Sequence, residues 1–369
     1  MTRRDCLTIG AAMLSAACTP IKRTGYLGYA LIATSGDNSL AVVDLATFRL
    51  FKTIPLNGAP TAVIPAAHRN YVLTPSTDSV HILDRNLSLT SSHRLSEGIS
   101  EIRLFPDSSA LVASARPSRE ILVADPASLK VNRRIKLTAE PVDLDLSTTG
   151  HVAVSTGAHG TLELLHAASG QRYTIDTGGP VGSVRFRADG QLILAARPDK
   201  RTILGIDVAT QKVVAELPLA MEPENLCFNA DQGQLFVSGK GMDGVAIIFP
   251  YDTMEVEQTL LAARNPGAMA TSDAPAYLFI ASTNGSDISI LNIDTRKLVG
   301  VVDVGGQSEF IAITPDNRFA LVLNKTSGTM AVIYIPSIKA TREKKGLSLF
   351  TLVDVGAKPV HVAVVSREA

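Results

Sequence analysis

Charged residues recur two positions apart in short apolar segments of this sequence. Glu101 and Arg103 are separated by one apolar residue, as are Asp143 and Asp145, and Arg185 lies in the segment "GSVRFR". Side chains two positions apart point to the same side of a β-strand. Carboxylates and guanidinium groups on one surface can bind an anion or an amphipathic molecule. They can also neutralise each other as structural ion pairs, and both interpretations stay open.

Two further polar residues occupy equivalent places in other segments. Asn225 lies in "ENLCFN" and His361 lies in "PVHVAVV". An imidazole can serve as an acid, a base or an axial haem ligand, which makes His361 the best single candidate for such a role. Cys227 follows Asn225 in a strand-like pattern, so we interpret it as a buried structural thiol and not as a nucleophile.

The sequence lacks the local signatures of several common catalytic and metal sites. Its seven histidines show no metal-ligand spacing. No glycine-rich loop follows a strand and opens a helix, and no Gly-x-Ser-x-Gly turn is present. We therefore predict no catalytic residue and no metal site. The sequence indicates no cofactor, although a single histidine could ligate haem.

Composition narrows the classes of function. The 369 residues contain 35 basic and 35 acidic side chains, which argues against a nucleic-acid-binding protein because such proteins are usually basic. The chain has no tryptophan, which disfavours a platform for stacking bases or sugars. Cys227 is the only cysteine beyond residue 18, so we expect no internal disulfide.

The sequence is built from internal repeats. The residue that begins the turn after each "VVD"-like segment recurs every 40 to 43 positions, at Asp44, Asp84, Asp125, His166, Asp207, Pro250, Asn292 and Tyr334. Each unit contains four short runs rich in Val, Ile and Leu, separated by Gly, Pro and Asp, which is typical of antiparallel strands. Four strands in a unit of this length predict a β-propeller blade.

The phase of the repeat predicts how the ring closes. The first unit supplies only second to fourth strands, and the chain ends in one extra first strand near Val360. The eight first strands begin near Thr61, Ile99, Val142, Val181, Glu224, Gly267, Ser308 and Val360. We therefore predict an all-β propeller of eight blades, with the C-terminal strand completing the N-terminal blade and covering exposed edges. Seven blades, with one degenerate unit outside the ring, is the alternative.

First strands line the central channel of a propeller, and this places the candidate residues. Polar groups face the channel from four consecutive first strands, those that begin near Ile99, Val142, Val181 and Glu224. These groups are Glu101, Arg103, Asp143, Asp145, Arg185 and Asn225. The opposite side is small and apolar, with Ala268 and Ala270 among its residues. Such a channel suits an amphipathic ligand whose polar groups face the charges, with His361 near the rim.

The loops between second and third strands form one face of the ring and carry cations. These are Arg116, Arg119, Arg197, Lys200, Arg201, Lys240 and Lys325. A ring of cations around a funnel would attract an anionic ligand. Acidic residues in the same loops, such as Asp199 and Asp243, partly cancel this charge, and a merely solvated face is the alternative.

The N-terminus predicts export. Arg3 and Arg4 precede a short apolar stretch, and residues 1–17 resemble a twin-arginine export signal, although Cys6 and Thr8 depart from that motif. The segment "LSAAC" resembles a lipoprotein processing box with Cys18 as the lipidated residue, and plain cleavage after Ala17 is the alternative. We expect residues 18–25 to form a lipidated or flexible linker and residues 26–369 a single propeller domain.

The repeat units "ALIATSGDNSLAVVDLATFRLFKTIPL" and "LFIASTNGSDISILNIDTRKLVGVVDVGG" resemble the YVTN-type propeller repeat, related to WD40-like propellers. The resemblance covers residues 26–365 and implies fold more strongly than function. The family includes exported and surface-attached binding proteins. More distantly similar are lactonase-like enzymes, amine-dehydrogenase subunits, and the haem-binding propellers of periplasmic nitrite reductase and its maturation, which have eight blades.

Two classes of function follow from these observations. The first is an envelope-associated, periplasmic binding scaffold, most simply a monomer, that takes a small anionic or amphipathic ligand or another envelope protein. The second, implied by the resemblance, is a haem-type cofactor carrier or a propeller enzyme such as a lactonase. Contact with the membrane is expected only through a lipid anchor, and no nucleic acid is expected.

Overall fold

The computed structural model describes residues 25–157, 159–251, 255–338 and 349–367. The predicted export signal, residues 1–17, and the predicted lipidation site, Cys18, lie outside these ranges. The described residues form eight antiparallel sheets of four strands each, which confirms the predicted eight-bladed β-propeller. We number the blades 1 to 8 in chain order.

The first half of the ring contains blades 1 to 4. The strands of blade 1 that begin the chain are β1 (Gly28–Thr34), β2 (Ser39–Asp44) and β3 (Arg49–Pro55). Blade 2 consists of β4 (Ala62–Pro65), β5 (Asn70–Thr74), β6 (Ser79–Leu83) and β7 (Leu89–Arg94). Blade 3 consists of β8 (Ile99–Leu104), β9 (Leu111–Ala115), β10 (Glu120–Ala124) and β11 (Val131–Lys136). Blade 4 consists of β12 (Asp143–Leu146), β13 (His151–Ser155), β14 (Thr161–His166) and β15 (Arg172–Asp176).

The second half repeats the pattern. Blade 5 consists of β16 (Val184–Phe186), β17 (Leu192–Arg197), β18 (Thr202–Asp207) and β19 (Lys212–Pro218). Blade 6 consists of β20 (Glu222–Phe228), β21 (Leu235–Lys240), β22 (Gly244–Ile248) and β23 (Val256–Leu261). Blade 7 consists of β24 (Pro266–Ser272), β25 (Tyr277–Ser282), β26 (Asp287–Asn292) and β27 (Lys297–Asp303). Blade 8 consists of β28 (Ser308–Ile313), β29 (Phe319–Asn324), β30 (Thr329–Tyr334) and β31 (Thr351–Asp354).

The core lies between blades, because both faces of each sheet are covered. In β1, Leu31 and Ala33 pack towards blade 2, whereas Ala30 and Ile32 pack towards blade 8. A strand buried on both faces needs apolar residues at consecutive positions and not at alternate ones. This explains the continuous apolar runs in the sequence, and one such cluster fills each junction between neighbouring blades.

The recurring Asp has a structural cause at the turn between the third and fourth strands of a blade. The Oδ1 atoms of Asp44, Asp84, Asp125 and Asp207 each accept a backbone N–H from two to four residues ahead, at 2.7–3.1 Å. At the same position in blade 4, Nδ1 of His166 accepts the N–H of Ser169 at 3.2 Å. Such a side chain holds the turn by satisfying a backbone donor that the ladder leaves free.

The C-terminal strand closes the ring. Strand β32 (Pro359–Ser366) pairs antiparallel with β1 and becomes the first strand of blade 1, as the phase of the repeat predicts. Val362 lies opposite Ile32 and Ala363 lies opposite Leu31, and the side chains of Val362 and Ala363 are buried. Residues from the two ends of the chain thus share one sheet.

Helical structure is minor throughout the described ranges. It consists of three single 3₁₀ turns, at Pro75–Thr77, Pro198–Lys200 and Ile335–Ser337. None of the described helical segments has the length and hydropathy needed to span a membrane.

We expect removal of residues 359–369 to destabilise the whole ring. The deletion takes away the backbone hydrogen bonds of β32, each worth about 1 kcal/mol, and the burial of Val362 and its neighbours. The midpoint of urea unfolding should fall well below that of the full chain. The control lacks only residues 368 and 369 and should unfold like the full chain. Equal midpoints for the two deletions would contradict closure by β32.

Candidate ligand-binding channel

The first strand of each blade lines the axis of the ring, and its residues alternate between the core and the channel. The core positions include Ile102, Leu144 and Val184, which are at most 1% exposed. The predicted channel residues between and beside them are half-buried: Glu101, Arg103, Asp143, Asp145, Arg185, Asn225 and His361. The structure therefore places all seven on the strand positions that face the channel.

A chain of ion pairs crosses three blades. Nη2 of Arg103 lies 2.8 Å from Oε1 of Glu101 in the same strand and 4.0 Å from Oδ1 of Asp143 in blade 4. Nη1 of Arg185 in blade 5 lies 2.9 Å from Oδ2 of Asp143. Asp143 therefore joins both arginines, and four of the predicted channel residues form one connected network.

Acceptor groups in the channel also hold the backbone of the neighbouring blade. Oδ2 of Asp143 accepts the N–H of Val184 at 2.9 Å, and Oδ2 of Asp145 accepts the N–H of Phe186 at 2.7 Å. These donors belong to the first strand of blade 5, which is an edge strand on its channel side. A backbone N–H on a strand edge away from bulk water needs such a partner. Both carboxylates therefore stabilise this edge strand in addition to any role with a ligand.

Burial changes the protonation of the acidic groups. Burial raises the pKa of Glu101 to about 7, with Asp143 adding to the rise, although the nearby Arg103 lowers it. Burial also raises the pKa of Asp145 against the opposing effect of Arg185. The contact with Arg103 favours the carboxylate of Glu101, but the loss of hydration outweighs it. Glu101 is therefore placed to exchange a proton near neutral pH.

The two arginines remain accessible from the channel. Their side chains are 37% exposed for Arg103 and 29% exposed for Arg185. Nε of Arg103 is itself buried and has no hydrogen-bond partner among the described residues, so the exposed part of this side chain lies elsewhere. Protein walls surround both guanidinium groups, yet part of each faces the open channel and can donate to a bound molecule.

His361 lies on the apolar side of the channel. Its ring packs at 4.4 Å from the ring of Phe310, and its Nδ1 accepts the N–H of Val63 at 3.4 Å. Burial lowers its pKa to about 4, and the charge of Arg103 contributes in the same direction. His361 is therefore neutral at physiological pH, and with Nδ1 accepting, the ring proton resides on Nε2.

Asn225 and Cys227 complete the polar side on β20. Cys227 is a free cysteine. Burial raises the pKa of its thiol to about 12, and the charge of Arg185 opposes this rise. A thiol with such a pKa stays protonated at neutral pH and is a poor nucleophile or metal ligand. The side chain of Cys227 is half-buried and not fully buried as the sequence predicts, and its raised pKa is that of an unreactive thiol.

The predicted loop cations lie on the face of the ring where the channel opens, which we call the mouth. They differ in their surroundings. Arg116, Arg119 and Lys200 are exposed, whereas Arg197 is only 9% exposed and lies 3.4 Å from Glu216. Arg201, Lys240 and Lys325 contact carboxylates, and the acidic partners are Glu222, Glu224 and Glu309 in the same order. These pairs leave a smaller net charge at the mouth than the loop sequences alone indicate.

Sequence reasoning missed those carboxylate partners, and β-bulges explain why. Glu224 and Glu309 lie at register shifts near the start of β20 and β28, where two residues oppose one. A bulge turns the extra side chain away from the strict alternation. Lys240 and Lys325 each lie 16 positions after their glutamate, and this shared spacing was the available signal.

Comparison with known proteins supports the fold. No family model matches the chain. A Mycobacterium tuberculosis protein described as a seven-bladed beta-propeller protein is 26% identical over 137 residues, which span 34% of this chain and 33% of that one. The match thus spans only about a third of the length of that curated relative.

Solved structures resemble nearly the whole ring. Dihydro-heme d1 dehydrogenase NirN in complex with DHE matches with a TM-score of 0.75 at 13% identity, covering 91% of this chain and 75% of that one. Hydrazine synthase from Kuenenia stuttgartiensis matches with a TM-score of 0.59 at 18% identity, covering 76% and 96%. At such identities the likeness shows a shared propeller fold.

The raised pKa of Glu101 predicts a pH dependence of stability. Folded Glu101 takes up a proton below about pH 7, whereas the unfolded side chain does so only near pH 4.5. The folded state therefore binds more protons between these values, and the wild type loses stability relative to Glu101→Gln as pH rises from 4.5 to 8. The loss is on the order of 3 kcal/mol at most.

Urea unfolding of both proteins across this pH range measures the difference. The slope of the difference with pH is the readout, because any constant effect of the substitution cancels. If the wild type instead gains stability over Glu101→Gln with rising pH, the ion pair with Arg103 outweighs burial, and our assignment is wrong.

Proposed function

We propose that this chain is a non-catalytic binding scaffold whose channel takes a small anionic or amphipathic ligand. The observation that carries the proposal is the pair of accessible guanidinium groups of Arg103 and Arg185 at the head of a channel with one apolar side. Guanidinium groups recognise carboxylates and phosphates through charge-assisted hydrogen bonds.

The network favours an anion over a cation. Asp143 and Asp145 already accept backbone N–H groups, and Asp143 also accepts from Arg185. The Oδ2 atom of each carboxylate is therefore already engaged, and each arginine has five N–H donors to distribute. Glu101 can become neutral near pH 7, which would remove one negative charge when an anion arrives.

The far side of the channel fits the apolar part of a ligand. Half-buried Ala268 and Ala270 of β24 and the paired rings of Phe310 and His361 form this side. The Nε2–H of neutral His361 offers one further donor near the mouth. A molecule with an anionic end and a flat or apolar body would satisfy both sides at once.

A haem-type carrier is the alternative function, and the propeller of NirN in complex with DHE gives it some support through fold alone. The residues of this channel do not fit axial ligation. His361 holds its proton on Nε2 while Nδ1 accepts from Val63, and the thiol of Cys227 stays protonated with a pKa of about 12. Neither offers a free lone pair to iron, so we favour the scaffold.

A lactonase-like enzyme is the other alternative. Among the described residues no group of three or more His, Cys, Asp or Glu side chains is placed to hold a metal ion. The carboxylates that do face the channel are engaged with arginines and backbone donors. The geometry therefore supports binding better than hydrolysis.

The proposal includes a cellular location. The residues Arg3 and Arg4 and the "LSAAC" segment support export through a twin-arginine route and attachment to the cell envelope through a lipid on Cys18. We propose that the ring acts as a monomer in the periplasm, where its loop face can also meet another envelope protein.

A fluorescent reporter tests the channel, since the chain has no tryptophan. Phe310→Trp places one on the apolar side, and 4-nitrobenzoate, an amphipathic carboxylate that quenches tryptophan, serves as the probe. Saturable quenching should weaken about tenfold or more in the added variant Arg185→Gln and less in Arg185→Lys. Arg49→Gln, on the outer strand β3, should leave the affinity unchanged. Equal affinities in all four proteins would reject the channel as the anion site.

Export is tested separately in cells. Replacement of Arg3 and Arg4 by Lys should retain the precursor in the cytoplasm, because the twin-arginine route requires the pair. Labelled palmitate should enter the wild type but not Cys18→Ala. Normal export of the double-Lys variant would contradict the proposed route, and absence of label from the wild type would indicate a soluble periplasmic form.

A further inference from the structure

A second cavity lies between blades 1 and 2, on the face of the ring opposite the loop cations. The end of β32, the start of β1 and the two turns of blade 2 that follow β4 and β6 form its walls. Its volume is about 610 Å³, which is in the range of small-molecule sites. We call it the blade 1–2 groove.

Aromatic side chains form one wall of the groove. The rings of Tyr29 and Phe51 lie 5.4 Å apart, and Phe51 is 55% exposed. An aromatic ring so exposed on the outer strand of a sheet contributes little to the core. It can instead offer a flat surface on which a planar group stacks.

Positive charge forms the other wall. Arg69, Arg85 and Arg367 line the groove, and none of the described lining residues is acidic. The guanidinium of Arg367 lies 4.8 Å from the centre of the Tyr29 ring and donates to its hydroxyl. Arg69 donates to the carbonyl oxygens of Pro126 and Ala127, at 3.3 and 2.9 Å. These neutral acceptors orient Arg69 and Arg367 without cancelling their charge.

One acidic group, Asp125, offsets the charge of Arg69 in part but lies outside the groove lining. Asp125 feels the charge of Arg69, but its Oδ1 accepts the N–H and the hydroxyl of Ser128 at 2.8 and 2.7 Å. It is not a lining residue of the groove. The described walls therefore combine two arginines held in place by neutral partners with an exposed aromatic surface.

We propose that the blade 1–2 groove binds a phosphate-bearing molecule with a planar or apolar group. Arg69 and Arg367 would hold the phosphate by charge-assisted hydrogen bonds, and Tyr29 and Phe51 would contact the attached group. The shared chemistry could come from a free phosphate ester or from a lipid headgroup. This site is independent of the channel, because no lining residue belongs to both.

A reporter in the groove tests the proposal without interference from the channel. Phe51→Trp introduces the only tryptophan of the chain into the groove wall. The probe is 4-nitrophenyl phosphate, which quenches tryptophan, and 4-nitroanisole is its uncharged analogue. The phosphate should quench saturably and the neutral analogue should not. Tyr251→Trp in the otherwise wild-type chain reports quenching outside the groove beside another arginine, because Tyr251 is exposed in blade 6 and its ring lies 4.7 Å from the guanidinium of Arg187.

Charge variants in the Phe51→Trp background identify the phosphate contacts. Arg367→Gln and Arg69→Gln should each weaken binding about tenfold, the loss expected for a charge-assisted hydrogen bond. Arg49→Gln, also on β3 but absent from the groove lining, should bind as the parent does. Thermal unfolding of each variant confirms that the ring is intact.

Vesicles distinguish the two sources of phosphate. The protein used carries Phe51→Trp together with Cys18→Ala, so that it has no lipid of its own. It is sedimented with vesicles of phosphatidylcholine and phosphatidylglycerol in equal parts, and separately with vesicles of phosphatidylcholine alone. Sedimentation with the anionic vesicles that is lost in Arg367→Gln identifies a lipid headgroup. Saturable quenching by 4-nitrophenyl phosphate without sedimentation identifies a free ester. Absence of both, or affinities equal in Arg367→Gln and its parent, overturns the proposal.

Discussion

The inner edge of every blade imposes the constraint on which the channel depends. A four-stranded blade leaves one side of its first strand without a partner strand, and in a ring of blades that side faces the axis. Backbone donors there must find acceptors within the channel. Side chains of the preceding blade supply them, as Asp145 does for Phe186 and His361 does for Val63. The polar lining is thus part of the architecture before any ligand is considered.

This constraint also determines which polar groups keep hydrogen-bonding capacity for a ligand. The carboxylate of Asp143 accepts from one backbone N–H and from Arg185, so its Oδ2 atom is already engaged. Arginine has five N–H donors, more than these carboxylates use, and the side chains of Arg103 and Arg185 are partly exposed. This donor capacity is the basis of the proposed preference for an anion, although the chain as a whole is electrically neutral.

Much of the fold could be predicted from the sequence, because the same physical requirements recur every 40 to 43 residues. The turn acceptor at Asp44 and its equivalents sets the period, and continuous apolar runs show that both sheet faces are buried. The channel side of the first strands β8 and β12 was also predictable, since buried Ile102 and Leu144 each lie between two half-buried charged residues. Ion pairing among these charges was one of the two sequence interpretations, but which carboxylate meets Arg185 was not predictable, because it depends on how one blade is placed against the next. The groove was not predictable either, because its walls come from both ends of the chain.

The two faces of the ring differ in how they can attract an anion. At the mouth, Lys240 and Lys325 are matched by Glu224 and Glu309, so these pairs contribute little long-range field. Recognition in the channel must then come from shape and from donors in direct contact. In the groove, Arg69 and Arg367 donate to neutral oxygens and no described lining residue is acidic. The charge of these two arginines, which Asp125 outside the lining offsets in part, acts over the Debye length of about 8 Å at physiological salt. Added salt should therefore affect an anion in the groove more than one in the channel, because long-range attraction is screened first and a direct, partly desolvated contact last.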